Sequence, residues 1–131
     1  MKPEKVWEVI DEPTLVRNFM WTYEEVVKLH FFACSYVAKK QVFHTFSILD
    51  MTGFSVSMFN KRVQGLVKLG SSIAQDYYPE QLGQLMIVNA PWVFTGIWAV
   101  VKTFLDEKTR KKIMLVGGSY KKELLKYVDE D

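Results

Sequence analysis

Three short runs constrain this chain more than anything else in it. Residues 42–50 (VFHTFSILD), 84–89 (QLMIVN) and 112–117 (KIMLVG) read as strands with little polar character on either face. A strand with one wet face alternates apolar and polar residues, whereas a strand covered on both faces does not, and such strands belong to parallel sheets. The segments between them repeat apolar residues every three or four positions, the helical period. The order helix, strand, helix, strand, helix, strand, helix predicts an α/β fold. Its mainly parallel sheet would form a floor flanked by helices, with right-handed crossovers. At 131 residues the chain is expected to be a single domain over 1–131, and it has no internal repeat, linker or low-complexity segment.

The helical segments can be placed in order. Pro3 opens a short helix over 3–10, with Val6, Trp7 and Ile10 on one side. Pro13 opens a long one to about Lys40, whose apolar stripe runs from Leu15 and Val16 through Tyr23, His30 and Cys34 to Ala38. After the first strand Gly53 turns the chain. A helix then spans Val56–Asp76, in which Gly65 and Gly70 either weaken it or admit a close neighbour, and Tyr78-Pro79 ends it. Ser119 is expected to cap a last helix that reaches about Tyr127.

Charge and composition exclude several classes. The formal charge is only +2, but residues 101–126 hold eight basic and three acidic residues, a local +5 against −3 elsewhere. That asymmetry points to an anionic partner or a solvated helix face in the C-terminal third. Cys34 is the sole cysteine, so no intrachain disulfide forms and a reducing compartment is expected. The start, MKPEKVWEVIDEP, lacks the apolar run of a signal peptide, and no apolar stretch is long enough to span a bilayer.

No catalytic constellation emerges. His44 and Asp50 share one strand but lie roughly 20 Å apart at six residues' separation. His30 and Cys34 stand at i,i+4 on the apolar stripe and are expected in the core rather than at a nucleophile or metal site. Val116-Gly117-Gly118-Ser119 lies between a strand and a helix, where it forms a phosphate cradle or a plain turn.

The stretch Tyr77–Lys112 is more informative. After Asn89-Ala90-Pro91 comes a helix, 92–105, carrying Trp92, Phe94, Ile97, Trp98, Val101, Phe104 and Leu105 around more than half its circumference. Such a helix is buried, or it faces an apolar cavity or a membrane. Asp106 can cap the segment Glu107–Lys111, and Thr109 and Lys112, three residues apart, can face one phosphate or polyol. Glu80 could accept from hydroxyl donors, and Thr45 and Ser47 put two hydroxyls on one strand face. An apolar cavity with a few placed hydroxyls and one cationic end suits a phospholipid.

At these residues the chain resembles the CRAL-TRIO lipid-binding family, most closely its phosphatidylinositol/phosphatidylcholine transfer (Sec-fourteen-like) branch. The resemblance rests on YYPEQLGQLMIVNAPWVF followed by KTFLDEKTRKKIMLVGGSYKKELLKYV, and upstream on WTYEEVV, ACS and TFSILDMTG, covering roughly residues 15–128. It implies a sheet floor under a lipid cavity closed by a gating helix, with Phe94, Ile97, Trp98, Val101, Phe104 and Leu105 as the apolar gate and pocket. It implies an inositol-phosphate site at Glu80, Thr109 and Lys112, and a phosphatidylcholine side at Tyr23, Thr45 and Ser47. Where the family has Ser then Thr, this chain has Thr then Ser, and where the family often has Arg after the Y-P-E glutamate, it has Gln81. The family's N-terminal helical bundle, first strand and closing strand are expected to lie outside these residues, leaving the central portion of the domain.

The function so implied is non-enzymatic binding and transfer of phospholipid between membranes, in support of phosphoinositide signalling and vesicle trafficking. The expected ligand is phospholipid, with no cofactor, no metal and no nucleic acid. Membrane contact would be transient and peripheral, from the cytoplasm onto Golgi and endomembranes. The alternative is a non-transferring module that binds a protein partner or self-associates, through the apolar helix or unpaired sheet edges.

Overall fold

The computed structural model describes residues 8–130. The short helix expected over 3–10 falls largely outside them. The first described element is α1 (Glu12–Glu25), capped by Asp11, whose carboxylate accepts from the Thr14 N–H at 2.9 Å. It passes through a π turn (Val26–His30) into α2 (Phe31–Ala38), which ends at Lys39 in the left-handed conformation. The π turn changes the phase of the long helix, because one extra residue per turn rotates everything after it. The single stripe expected from Leu15 to Ala38 therefore splits. Phe19, Thr22, Tyr23 and Val26 face inward at helical spacing, whereas His30 and Cys34 are exposed rather than in the core. The His30 ring stands 3.9 Å from the Glu25 carboxylate.

Three parallel strands follow in the order β1-β2-β3: β1 (Thr45–Asp50), β2 (Leu82–Val88) and β3 (Ile113–Leu115). The parallel sheet matches the expectation, and all three strands are shorter than, or offset from, the apolar runs that announced them. Between β1 and β2 run a 3₁₀ turn (Val56–Met58) and α3 (Lys61–Tyr77). Asn60 splits the helix expected from Val56, because its side chain caps the N–H groups of Arg62 and Val63. Gly65 and Gly70 do not mark close approaches, since a Cβ at either would meet open space.

Gly83 does mark one. The β1–β2 register slips between Thr45 and Phe46, which pair with Leu82 and Gln84, so Gly83 is the extra residue of a bulge. A Cβ there would sit 3.0 Å from both the Thr45 carbonyl and the His44 Cβ. Only glycine lets the two strands close at this point.

Between β2 and β3 come α4 (Phe94–Val101), a 3₁₀ turn (Lys102–Phe104) and α5 (Glu107–Lys111). Phe94 and Ile97, three residues apart, are buried with Met51 and Ile87, and Phe54, Trp98, Val101 and Ile113 pack around them. Phe54 meets Phe94 edge-on at 5.9 Å. The outer side of α4 carries Thr95, Gly96, Ala99 and Val100, mostly small, which reconciles its apolar composition with a surface position. On the opposite sheet face Met86 and Val88 are almost fully buried, and Tyr127 stacks on Phe46. The last helix is only α6 (Lys121–Leu124). Ser119 does not cap it; Tyr120 stands at its N-terminus without a side-chain cap.

Candidate functional site

A cavity of about 810 Å³ lies between α1, α3 and the sheet. Its walls combine Phe19, Tyr23 and Val26 of α1 with Val63, Leu66, Val67, Gly70 and Ala74 of α3, and Leu82 and Leu85 of β2 form its floor. Gly70, without a side chain, widens it. The polar lining is supplied by Thr45 and Ser47 of β1, the turn Tyr78–Gln81, Gln75, Asp106, Lys108, Thr109 and Lys112.

Most of these groups meet at the turn before β2. Glu80 stands in the left-handed conformation at φ 62, which a non-glycine residue adopts only when its surroundings hold it there. The Lys112 ammonium donates to the Glu80 carboxylate at 2.9 Å, and the Lys108 ammonium lies 3.9 Å from its other oxygen. The Lys112 hydrogen bond and charge, with Lys108 behind it, hold the Glu80 carboxyl below the usual glutamate range. Thr109 donates its hydroxyl to Asp106 at 2.8 Å, while the Asp106 carboxylate caps α5 by accepting from the Thr109 N–H. Those two bonds depress the Asp106 carboxyl. The capping role read from the sequence is therefore present, with Thr109 oriented by the cap.

The two halves of the expected headgroup region converge. Thr45 donates its N–H and its hydroxyl to the Gln81 carbonyl at 2.8 and 3.3 Å, so β1 is tied to the residue beside Glu80. Tyr23 stacks on Tyr78 with ring centroids 4.7 Å apart, and burial pushes its phenol up, keeping it a neutral donor. The Tyr78 hydroxyl donates to Glu24 at 2.8 Å, fastening the turn to α1. Glu80, Thr109, Lys112, Tyr23, Thr45 and Ser47 thus all line one cavity.

The six gate residues divide differently. Only Leu105 lines the cavity; Phe94 and Ile97 are in the core, and Trp98 and Val101 pack against it. The reason is connectivity: α4 joins adjacent parallel strands, so its apolar side lies on the sheet. The half-buried Phe104 belongs to the turn that follows, whose C-terminal end Gln75 of α3 holds with both ends of its side-chain amide. Its amide donates to the Phe104 carbonyl at 3.3 Å, and its oxygen accepts from the Asp106 N–H at 2.8 Å. The Gly117-Gly118 loop lies elsewhere: Gly117 borders a hollow of about 120 Å³ with Trp92 and Phe94.

Gln75, Lys108 and Gln81 were not singled out as binding residues by sequence reasoning. Gln75 had no signal, being one polar residue among several on α3. Lys108 was counted in the basic cluster but was not distinguishable within it. Gly83, inside an otherwise apolar run, was the available cue for the bulge that positions this turn.

Residues 2–131 match the CRAL/TRIO domain family model. The chain belongs to the CRAL/TRIO family. It is similar to the SEC14 cytosolic factor of Kluyveromyces lactis, 36% identical over 124 residues, which cover 95% of this chain and 41% of that protein. It is also similar to the phosphatidylinositol/phosphatidylcholine transfer protein SFH12 of Arabidopsis thaliana, 35% identical over 126 residues, 96% of this chain and 23% of that one. Among solved structures it resembles that of Sfh5, with a TM-score of 0.60 and 31% identity over 67% of this chain and 30% of the other. The chain spans less than half the length of these relatives. Among the described residues no helix is long and apolar enough to cross a membrane.

Proposed function

We propose that this chain binds a phospholipid, phosphatidylinositol and also phosphatidylcholine, and transfers it between membranes without making or breaking a covalent bond. The observation that carries this reading is the distribution of polarity around one cavity. Apolar side chains of α1, α3 and β2 form most of the wall, and Glu80, Lys108, Thr109 and Lys112 gather at the turn before β2. A volume of about 810 Å³ is near the top of the range of small-molecule sites, about 300–1,000 Å³. Acyl chains entering it gain roughly 0.8 kcal/mol per buried CH₂. Lys112 would exchange its bond to Glu80 for a headgroup phosphate, while Glu80 and Thr109 would address the inositol hydroxyls. Tyr23, Thr45 and Ser47 would serve phosphatidylcholine. Entry is proposed past Leu105, with the 102–106 turn moving against its Gln75 tether. The names of the relatives support the same lipids, and a cytoplasmic site of action at Golgi or other endomembranes belongs to this proposal.

Two measurements test it. Organic extraction and mass spectrometry of the purified chain should recover phospholipid in stoichiometric amount. Lys112→Ala should then abolish phosphatidylinositol transfer while sparing phosphatidylcholine. An equal fall in both lipids would remove the headgroup assignment. Self-association is the competing reading, favoured by Ile48 and Leu49, about half exposed on the edge strand β1. A chain free of lipid that sediments as a concentration-dependent oligomer would support it instead.

A further inference from the structure

The outer sides of α2 and α4 differ in the size of what they show. α4 turns Thr95, Gly96, Ala99 and Val100 outward, whereas α2 turns out Phe32, Ala33, Tyr36 and Val37. Of these, Phe32 is 74% exposed, Tyr36 81% and Val37 80%. The spacing puts all four in one stripe along the helix. Leu29, exposed in the π turn, extends the apolar surface toward α1. Ser35 holds the stripe outward from the other side of α2. Its hydroxyl accepts the Val42 N–H at 2.9 Å and donates to the Val42 carbonyl at 3.2 Å, which pins the helix to the segment entering β1. No residue of the stripe lines the main cavity.

The charge beside the stripe has one sign. Residues 26–49 contain three lysines and no Asp or Glu. The Lys28 ammonium is engaged by Glu24 at 2.7 Å. Lys39 and Lys40, at the end of the stripe, form no ion pair among the described residues. We infer that this face of α2 docks on an anionic membrane surface, with Phe32, Tyr36 and Val37 in the headgroup layer and Lys39 and Lys40 against the anionic headgroups. A helix that lies in a membrane interface combines these two parts, apolar area on one side and lysines beside it. Tyrosine suits the boundary, because its ring is apolar and its hydroxyl stays wet. A second copy of the chain fits less well. A two-fold contact through this face would bring together two surfaces that both carry unpaired lysines, with no carboxylate from residues 26–49 to meet them, and like charges across an interface are costly. The face lies outside the cavity, so the inference stands apart from the lipid-transfer reading.

The test is sedimentation of the purified chain with phosphatidylcholine vesicles, with and without phosphatidylserine. The wild type should bind the phosphatidylserine vesicles more tightly, and the advantage should shrink as salt is raised. Lys39→Gln combined with Lys40→Gln should lower that affinity about thirtyfold. Phe32→Ser combined with Tyr36→Ser should weaken binding to both kinds of vesicle by about tenfold or more. Both double variants should melt with the wild type, and organic extraction should recover as much phospholipid from them as from it. A wild type indifferent to phosphatidylserine overturns the inference, as do folded variants that bind like the wild type. A variant that melts well below the wild type overturns it by showing the face packed within the protein. Phospholipid lost from either variant overturns it by placing the stripe on the path to the cavity. A wild type that forms a concentration-dependent oligomer, made monomeric by the Phe32 and Tyr36 substitutions, overturns it in favour of a second copy. A wild type that carries no phospholipid yet sediments with phosphatidylserine vesicles removes the transfer reading and supports this one.

Discussion

The two most apolar helical regions of the chain meet opposite fates. In α4, Phe94 and Ile97 are buried against Met51 and Ile87, and Trp98 and Val101 close around them. In α1 and α2, Trp21 is 62% exposed, Phe32 74% and Tyr36 81%. Composition does not separate α2 from α4; connectivity does. The crossover from β2 to β3 lays α4 on two paired strands, whereas α1 and α2 lead into β1, which is the sheet edge among the described residues. A helix buries its apolar stripe only where the topology supplies a second layer. The side of α1 that does find one, through Phe19, Tyr23 and Val26, is the side that lines the cavity.

The largest expected effect is the sharpest way to break this contrast. Ile97→Ala should cost about 2–5 kcal/mol, the usual range for emptying a core position. Phe32→Ala should stay within about 0.5 kcal/mol, as for an exposed site. Denaturant melts of the two variants compare them directly, and equal losses would mean that α2 is covered in solution.

A smaller effect probes the end of β2 that launches α4. Asn89 is left-handed at φ 53, and its amide donates to Asp50 at 2.9 Å and to Thr52 at 3.0 Å. Asn89→Ala should cost at least about 1 kcal/mol from the left-handed backbone alone. Asn89→Gly, which relieves the backbone but not the lost bonds, should recover part of the difference. The Asn89 amide is the main cause of the depressed Asp50 carboxyl, with Thr52 behind it. The Asp50 titration followed by NMR should therefore move up toward an ordinary aspartate in both variants; if it stays put, the clamp is absent in solution.

The smallest effect concerns the exposed charges of the site. Glu80 has a folded pKa below its ordinary value, so its pairing stabilises the fold above that ordinary value. The contribution fades as pH falls through the lowered folded value. Lys112→Ala should shift the Glu80 titration upward and flatten this acid-side dependence of the melting temperature. An unchanged Glu80 titration would separate the two residues.

Much of the fold was legible because its signals are local. The parallel sheet followed from runs too apolar for one wet face, and the Asp106 cap from one carboxylate three residues before Thr109. The ends of elements were less legible. Asn60 splits one expected helix, and the π turn over Val26–His30 shifts the phase of another, turning His30 and Cys34 outward. The shared cavity lining of Glu80, Thr109, Lys112, Tyr23, Thr45 and Ser47 was available from family resemblance, residue by residue. Its assembly was not, because Thr45 reaches the Gln81 carbonyl across 36 positions of sequence.

By itself, then, the sequence determined the element types, the parallel sheet and the family, since periodicity, caps and ordered motifs are properties of neighbouring residues. Only the tertiary structure decided that Phe94 and Ile97 belong to the core while Leu105 meets the cavity. It also decided that Lys112 is held by Glu80 and that the Gln81 oxygen is left without a partner. Those outcomes depend on which segments come together in space, and a hydrogen bond or a packing contact exists only once both of its partners have been placed.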